Sequence, residues 1–150
     1  MNATAARHET VLSVDTLRLD LLGSPGQPGL VEDVSFQVRA GETVALIGES
    51  GCGKSITSLA VLGLLPPQVV VASGTISVAG EDVTAATARR MDALRGSVVG
   101  SVFQDPMSSL DPTMTVGAQI AESRRLHLRE PRKVALERAV ELLELVGIPN

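Results

Sequence analysis

The sequence predicts an α/β domain. Three observations carry that expectation: strand-like and helix-like segments alternate along the 150 residues, two of the strand-like runs are almost wholly apolar, and the first of those runs passes through a glycine-rich loop into a helical pattern. Thirteen Lys and Arg stand against 17 Asp and Glu, a net charge of −4, with two Phe, no Tyr and no Trp. That balance disfavours a nucleic-acid stacking platform, so no nucleic acid is expected as a partner. The single Cys makes neither an intramolecular disulfide nor a Cys-rich zinc site. The longest mostly apolar stretch, Ala60 to Ala72, is interrupted by Pro66 and Pro67 and falls short of the roughly 20 residues that a membrane-spanning helix needs. The opening residues, MNATAARHETVLS, show neither an apolar nor a basic leader region, so no signal peptide is expected.

Taken in order, VLSVD at 11–15 reads as an N-terminal strand ended by Asp15. VSFQV at 34–38 alternates Val34, Phe36 and Val38 with Ser35 and Gln37, the pattern of a half-buried edge or antiparallel strand. TVALI at 43–47 is apolar on both faces and ends at Gly48, which predicts a central strand of a parallel sheet. A helix is expected from Lys54 to about Leu62, stopped by Gly63 and the two prolines, with a loop after it. TISVA at 75–79, bounded by Gly74 and Gly80, predicts another short strand. A basic helix around Arg89 to Arg95 and a second buried strand, SVVGSVF at 97–103, follow. Beyond Asp105 only helical patterns remain. In the last one Leu136, Ala139, Val140, Leu143 and Val146 share a face, Pro131 suits the first turn, and Gly147 with Pro149 stops it. Six of the 13 basic residues, Arg124, Arg125, Arg129, Arg132, Lys133 and Arg138, fall in this part; the glutamates among them favour a solvated helix face over a partner-facing patch.

Gly48-Glu49-Ser50-Gly51-Cys52-Gly53-Lys54-Ser55 matches G-x-x-x-x-G-K-[ST], the phosphate-binding loop, in the strand-to-helix setting that the chemistry requires. Glycines at 48, 51 and 53 allow torsions and close approaches that a Cβ obstructs, so successive N–H groups can turn toward one anion. The helix that follows aims the positive end of its dipole at the same place. Lys54 supplies a mobile charge for β- and γ-phosphates, and the Ser55 hydroxyl is a hard oxygen ligand for Mg²⁺. A Gly-rich turn ending by chance in Lys-Ser is expected in a chain of this length on the order of one time in a hundred. Cys52 sits within the loop, where it is either a thiol activated by the dipole and Lys54 or a small filler residue. Gln104, at the end of SVVGSVF and before Asp105-Pro106, reads by itself as a polar strand end or as an amide able to ligate Mg²⁺ or orient a water.

The order strand, GESGCGKS, helix, then VFQDPMSSLDP and VGAQIAE resembles the ATP-binding cassette (ABC) transporter ATPases. The run Phe103 to Pro112, the segment Val116 to Glu122 and the closing LLELVGIPN are similar to the subgroup of oligopeptide, dipeptide and nickel importers, in its N-terminal part only. This resemblance implies a RecA-like P-loop NTPase core with an N-terminal antiparallel β region over residues 1–104, and the beginning of a helical subdomain over residues 105–150. It implies ATP and Mg²⁺, with Gly48, Glu49, Ser50, Gly51, Cys52, Gly53, Lys54, Ser55 and Ile56 around the nucleotide, Lys54 and Gln104 catalytic, and Ser55 and Gln104 on the metal. It also implies membrane permease subunits docking at the loop after Gln104, a second ATPase subunit (identical or homologous) and, indirectly, a solute-binding protein. The place implied is the cytoplasmic face of the plasma (inner) membrane, as a peripheral subunit.

The chain departs from the family pattern in three ways. Leu21 stands where the family stacks an aromatic ring on adenine, and Ile56 stands where many relatives have Thr. No apolar strand ending in Asp-Glu follows the loop, LSGGQ is absent, and neither His8 nor His127 suits the family's switch histidine. The expectation is therefore a fragment of a longer product, or a truncated reading frame, with negligible ATP turnover by residues 1–150 alone. The competing readings are another P-loop enzyme, disfavoured by the run after Gln104 and the lack of N-K-x-D, and a truncated non-hydrolysing nucleotide- or permease-binding module.

Overall fold

A computed structural model describes residues 9–23, 27–103 and 110–148. The chain divides into two compact units, one running to Asp92 and one beginning at Ala93. In the first unit, strands β1 (Thr10–Leu21), β2 (Val31–Arg39), β3 (Val69–Val78) and β4 (Glu81–Asp82) form one antiparallel sheet in the order β2-β1-β3-β4. Helix α1 (Lys54–Val61) packs against β3, and α2 (Ala88–Leu94) follows β4.

Strand β1 is longer than the sequence pattern suggests. Asp15 does not end it, because the chain accommodates an extra residue at Thr16, where φ is 45° and the pairing with both neighbours shifts register. Such a bulge moves the side-chain alternation by one place. Val14 before it and Leu17 and Leu19 after it therefore all reach the core. The Thr16 N–H is satisfied by the Ser35 hydroxyl at 2.8 Å. On the other side Gly74 faces the bulge with φ +90°; a Cβ there would lie 2.5 Å from the Thr16 carbonyl oxygen and 2.6 Å from that of Asp15. In β2 the expected alternation over 34–38 is present, with Val34, Phe36 and Val38 half-buried and Ser35 and Gln37 exposed. Strand β3 starts at Val69 rather than near Thr75, since Val69–Val71 pair with the end of β1. The two prolines lie past the end of the preceding helix and leave the valines after them free to join a sheet edge.

The buried parallel strands expected at 43–47 and 97–103 are absent. Residues 42–49 have no ladder partner and Ile47 is 94% exposed. In the other segment only an isolated parallel bridge, Arg95 to Val99, forms, and Val102 is fully exposed at 100%. An apolar run of this kind needs a strand on each side, and among the described residues none lies beside either segment. Helix α1 agrees with expectation: Leu62 caps it and Gly63 takes φ 62° just beyond, where a Cβ would meet Met91 Cγ at 2.9 Å.

The short strand β4 is extended by side chains. Thr84 Oγ1 accepts from the Ile76 N–H at 2.8 Å and donates to Asp82 Oδ1 at 2.6 Å, while the Thr84 N–H donates to the same carboxylate oxygen at 2.9 Å. These bonds from the Thr84 hydroxyl and N–H hold the Asp82 carboxyl below its ordinary value. A carboxyl depressed by folding stabilises the fold above its unfolded pKa of about 3.9, and that contribution is lost as pH falls through the lower folded value. Thr84→Val should orphan the Ile76 N–H at a cost of about 1 kcal/mol and flatten the acid side of the stability profile below about pH 4, both read from urea unfolding across pH.

The second unit contains α3 (Val116–His127) and α4 (Arg132–Leu145), packed through Ala121, Ala135 and Ala139 with Ile120 and Leu136 beside them. Alanines at the contact let the two backbones approach closely. The Thr115 side chain caps α3 by accepting from the Ala118 N–H, and Gln119 reaches back to the Asp111 N–H and carbonyl, each at 2.9 Å. Pro131 is the N-cap of α4 rather than part of its first turn, and Val146 is exposed rather than on the buried face. The basic cluster behaves as a solvated face: Arg124 pairs with Glu130, Lys133 with Glu137 and Arg138 with Glu141. Among the described residues no helix is long and apolar enough to cross a membrane.

Candidate phosphate-binding site

Residues 48–53 form a loop that leads into α1, whose first turn carries Lys54, Ser55 and Ile56, as the motif requires. Gly51 has φ +85° and Gly53 has φ +93°, both in the left-handed region. A Cβ on Gly48 would lie 2.5 Å from Cys52 Sγ, so that side chain would have to turn away. Gly53 is required twice over, since a Cβ would also meet Val31 Cγ2 at 2.8 Å and the Leu30 carbonyl oxygen at 3.1 Å. The loop is thereby seated against the start of β2.

Gly53 is the N-cap of α1 and brings no side chain to satisfy the first turn. The first helical bond runs from the Thr57 N–H to the Gly53 carbonyl at 2.9 Å, reinforced by the buried Thr57 hydroxyl on the same oxygen at 2.9 Å. Among the described residues no acceptor is placed on the N–H groups of Gly53, Lys54, Ser55 and Ile56. Four donors at the positive end of a helix dipole are the chemistry that an anion completes.

Lys54 lies along the inside of the loop. Its Nζ donates to the carbonyl oxygens of Gly48 at 2.8 Å and Glu49 at 2.7 Å, and it is 3.3 Å from Cys52 Sγ. The ammonium thus ties the two ends of the loop while staying at its open side. Glu49, Ser50, Cys52 and Ser55 are exposed and Ile56 is half-buried. The Ser55 hydroxyl makes no hydrogen bond among the described residues, so its oxygen is available to a hard cation. No cluster of three or more His, Cys, Asp or Glu able to hold a metal occurs among the described residues. These groups fit a polyphosphate with its Mg²⁺: donors without acceptors, a cation, and one free hydroxyl at the same helix terminus.

Gln104, and with it the 104/105 boundary and residues 105–109, lies outside the described residues. Leu21 ends β1 beside Val69 and is 42% exposed. Two contributors escaped the sequence reading. Val31 and Leu30 form the wall behind Gly53, and nothing in the pattern of residues 30–31 marks a partner more than twenty positions away. The Thr57 hydroxyl is the second, and a Thr four residues after a loop carbonyl is a recognised back-bonding position.

A glycine-seated loop, a lysine across its mouth and uncapped N–H groups at a helix terminus define the class of phosphate-loop proteins. Within that class the chain belongs to the ABC transporter family, whose model matches residues 31–150. It is 41% identical over 143 residues to the dipeptide transport ATP-binding protein DppD of Bacillus subtilis (strain 168), covering 95% of this chain and 43% of that protein. It is 43% identical over 140 residues to the oligopeptide transport ATP-binding protein OppD of the same organism, covering 93% of this chain and 39% of that one. It is also 48% identical over 119 residues to the oligopeptide transport ATP-binding protein OppD of Mycobacterium bovis, covering 79% and 19% of the two chains. The chain spans less than half the length of these relatives.

Proposed function

We propose that the protein acts as the ATP-binding subunit of an ABC importer, coupling ATP binding and hydrolysis to uptake of peptides or a similar small solute. The observation that carries this reading is the segment 48–56, with the unpaired N–H groups of Gly53 to Ile56, Lys54 and the free Ser55 hydroxyl, in a member of the ABC transporter family. The names of its relatives support peptides as the solute class. In this reading Lys54 binds the β- and γ-phosphates, the N–H groups of Gly53 to Ile56 hold the remaining phosphate oxygens, and Ser55 holds Mg²⁺ together with Gln104. When bound, Mg²⁺ neutralises charge on the phosphates. Lys54 and Gln104 are the catalytic residues proposed within residues 1–150. Residues 1–104 belong to the nucleotide-binding core and residues 105–150 open a helical subdomain.

The partners proposed are membrane permease subunits at the loop after Gln104, a second identical or homologous ATPase subunit and, through the permease, a solute-binding protein. The place proposed is the cytoplasmic face of the plasma (inner) membrane. The apolar composition of 43–47 and of 97–103, each suited to being covered on both faces, supports the P-loop core of this reading. Leu21 gives adenine an aliphatic surface in place of a ring, and a missing ring contact of about 0.5–1.5 kcal/mol weakens affinity several-fold without abolishing it.

Equilibrium binding of a fluorescent ATP analogue to the chain, with and without Mg²⁺, tests the reading. Saturable binding strengthened by Mg²⁺ is expected; a folded chain that binds no nucleotide contradicts it. Alkylation of Cys52, which is exposed and 3.3 Å from Lys54 Nζ, should place a bulky group within the loop and reduce that binding by roughly tenfold or more. Retained affinity after complete modification, verified by mass, contradicts the placement of the phosphates.

A further inference from the structure

Outside the loop itself, the most connected cluster of charged side chains in the first unit centres on Arg18. Arg18 and Asp20 are two apart on a strand and so share a face. Arg18 Nε donates to both Asp20 carboxylate oxygens at 3.0 and 3.1 Å. Its Nη1 lies 3.5 Å from Glu32 Oε1, and its Nη2 donates to the Gln27 carbonyl at 3.4 Å. Glu32 Oε1 in turn accepts from the Gly29 N–H at 2.9 Å, and the Leu30 N–H donates to the Leu19 carbonyl at 2.8 Å. Gly29 is held so closely that a Cβ there would lie 2.8 Å from Asp20 Oδ1 and 3.0 Å from the Val31 carbonyl oxygen. The segment pinned in this way ends at Leu30 and Val31, the two residues against which Gly53 is seated.

We propose that Arg18 is a positioning residue for the phosphate loop, acting through Asp20, Glu32 and the 27–31 segment on which Gly53 rests. The inference rests on the nucleotide-binding reading above. Arg18 touches no loop residue; it fixes the surface that fixes the N-cap of α1. One planar guanidinium reaches a carboxylate on its own strand, a carboxylate on the next strand and a carbonyl of the connection between them, which an ammonium on a single stem does not reproduce. The bulge at Thr16 contributes as well, because the one-place shift sets Arg18 and Asp20 on the face opposite Leu17 and Leu19.

The test measures affinity for the Mg²⁺-bound fluorescent ATP analogue, together with melting temperature, for the wild-type chain, Arg18→Ala, Arg18→Lys, Glu32→Gln, Arg90→Ala and Lys54→Ala. Arg90→Ala is the control, since it breaks a comparable exposed ion pair with Glu81 in the same unit, away from the loop. Arg18→Ala should weaken binding by about fivefold, Arg18→Lys should restore part of the loss, and Glu32→Gln should cost about two- to threefold. The Arg18→Ala, Glu32→Gln double variant should be no weaker than Arg18→Ala alone, because both act through one segment. Competition by inorganic triphosphate, which has no base, should show the same loss. Arg90→Ala should lower the melting temperature by a similar amount and leave affinity unchanged. A folded Arg18→Ala with wild-type affinity overturns the inference, as does an equal loss in Arg90→Ala. Should Arg18→Ala fail to fold, Glu32→Gln decides the matter by the same criterion. Binding by the wild type that is lost in Lys54→Ala upholds the nucleotide reading independently of the Arg18 result, whereas absence of wild-type binding overturns both.

Discussion

Gly74→Ala should destabilise the sheet unit by about 3 kcal/mol or more, enough to unfold a marginal domain. Two penalties coincide there. A non-glycine residue at φ +90° is strained by itself, and the new Cβ would sit 2.5–2.6 Å from the carbonyl oxygens of Thr16 and Asp15. Those oxygens belong to backbone in the central part of the sheet, so no side-chain rotation relieves the contact. Relief requires moving the bulge, and moving the bulge takes Leu17 and Leu19 off the core face. Ser73→Ala, one position away and exposed, should stay within about 0.5 kcal/mol. Urea unfolding of both variants followed by far-ultraviolet circular dichroism checks the contrast; equal stabilities would contradict the account of the bulge.

Lys54→Ala should reduce affinity for the Mg²⁺-bound ATP analogue by roughly 10- to 100-fold, the loss expected for a charged hydrogen-bonding group facing an anion. Two effects contribute. The phosphates lose a cation, and the loop loses the bonds that tie the Gly48 and Glu49 carbonyls together at 2.8 and 2.7 Å. Lys54→Arg should not restore binding, because a planar fork cannot take the place of a compact ammonium among converging carbonyls. The melting temperature should hardly change, since the loop is largely exposed and outside the core. Isothermal titration of the three proteins with the analogue measures the difference. A Lys54→Ala protein with undiminished affinity would show that the lysine serves the loop alone.

The sequence revealed most where the chemistry is local. Residues 48–55 declare a phosphate loop because each glycine answers a torsion or a close approach at its own position, and the helix after it is bounded by Gly53 and Gly63 in the same way. The alternation at 34–38 likewise needs only one neighbouring strand to be correct. Reading failed where identity at one position depends on distant partners. Asp15 looks like a strand end; only the opposing Gly74 reveals a bulge that the strand continues through. TVALI and SVVGSVF read as buried strands from their apolarity, yet a strand is made by its ladder, and no described residue supplies one. The seating of Gly53 on Leu30 and Val31 leaves no periodic trace at all.

If the N–H groups of residues 53–56 receive the phosphates of ATP, amide hydrogen exchange of the chain with and without Mg²⁺ and ATP detects it at those groups. Slowed exchange concentrated in residues 48–57, produced by ATP and by inorganic triphosphate but not by adenosine, is the predicted result. Binding that protects other segments while leaving these amides unchanged would contradict it.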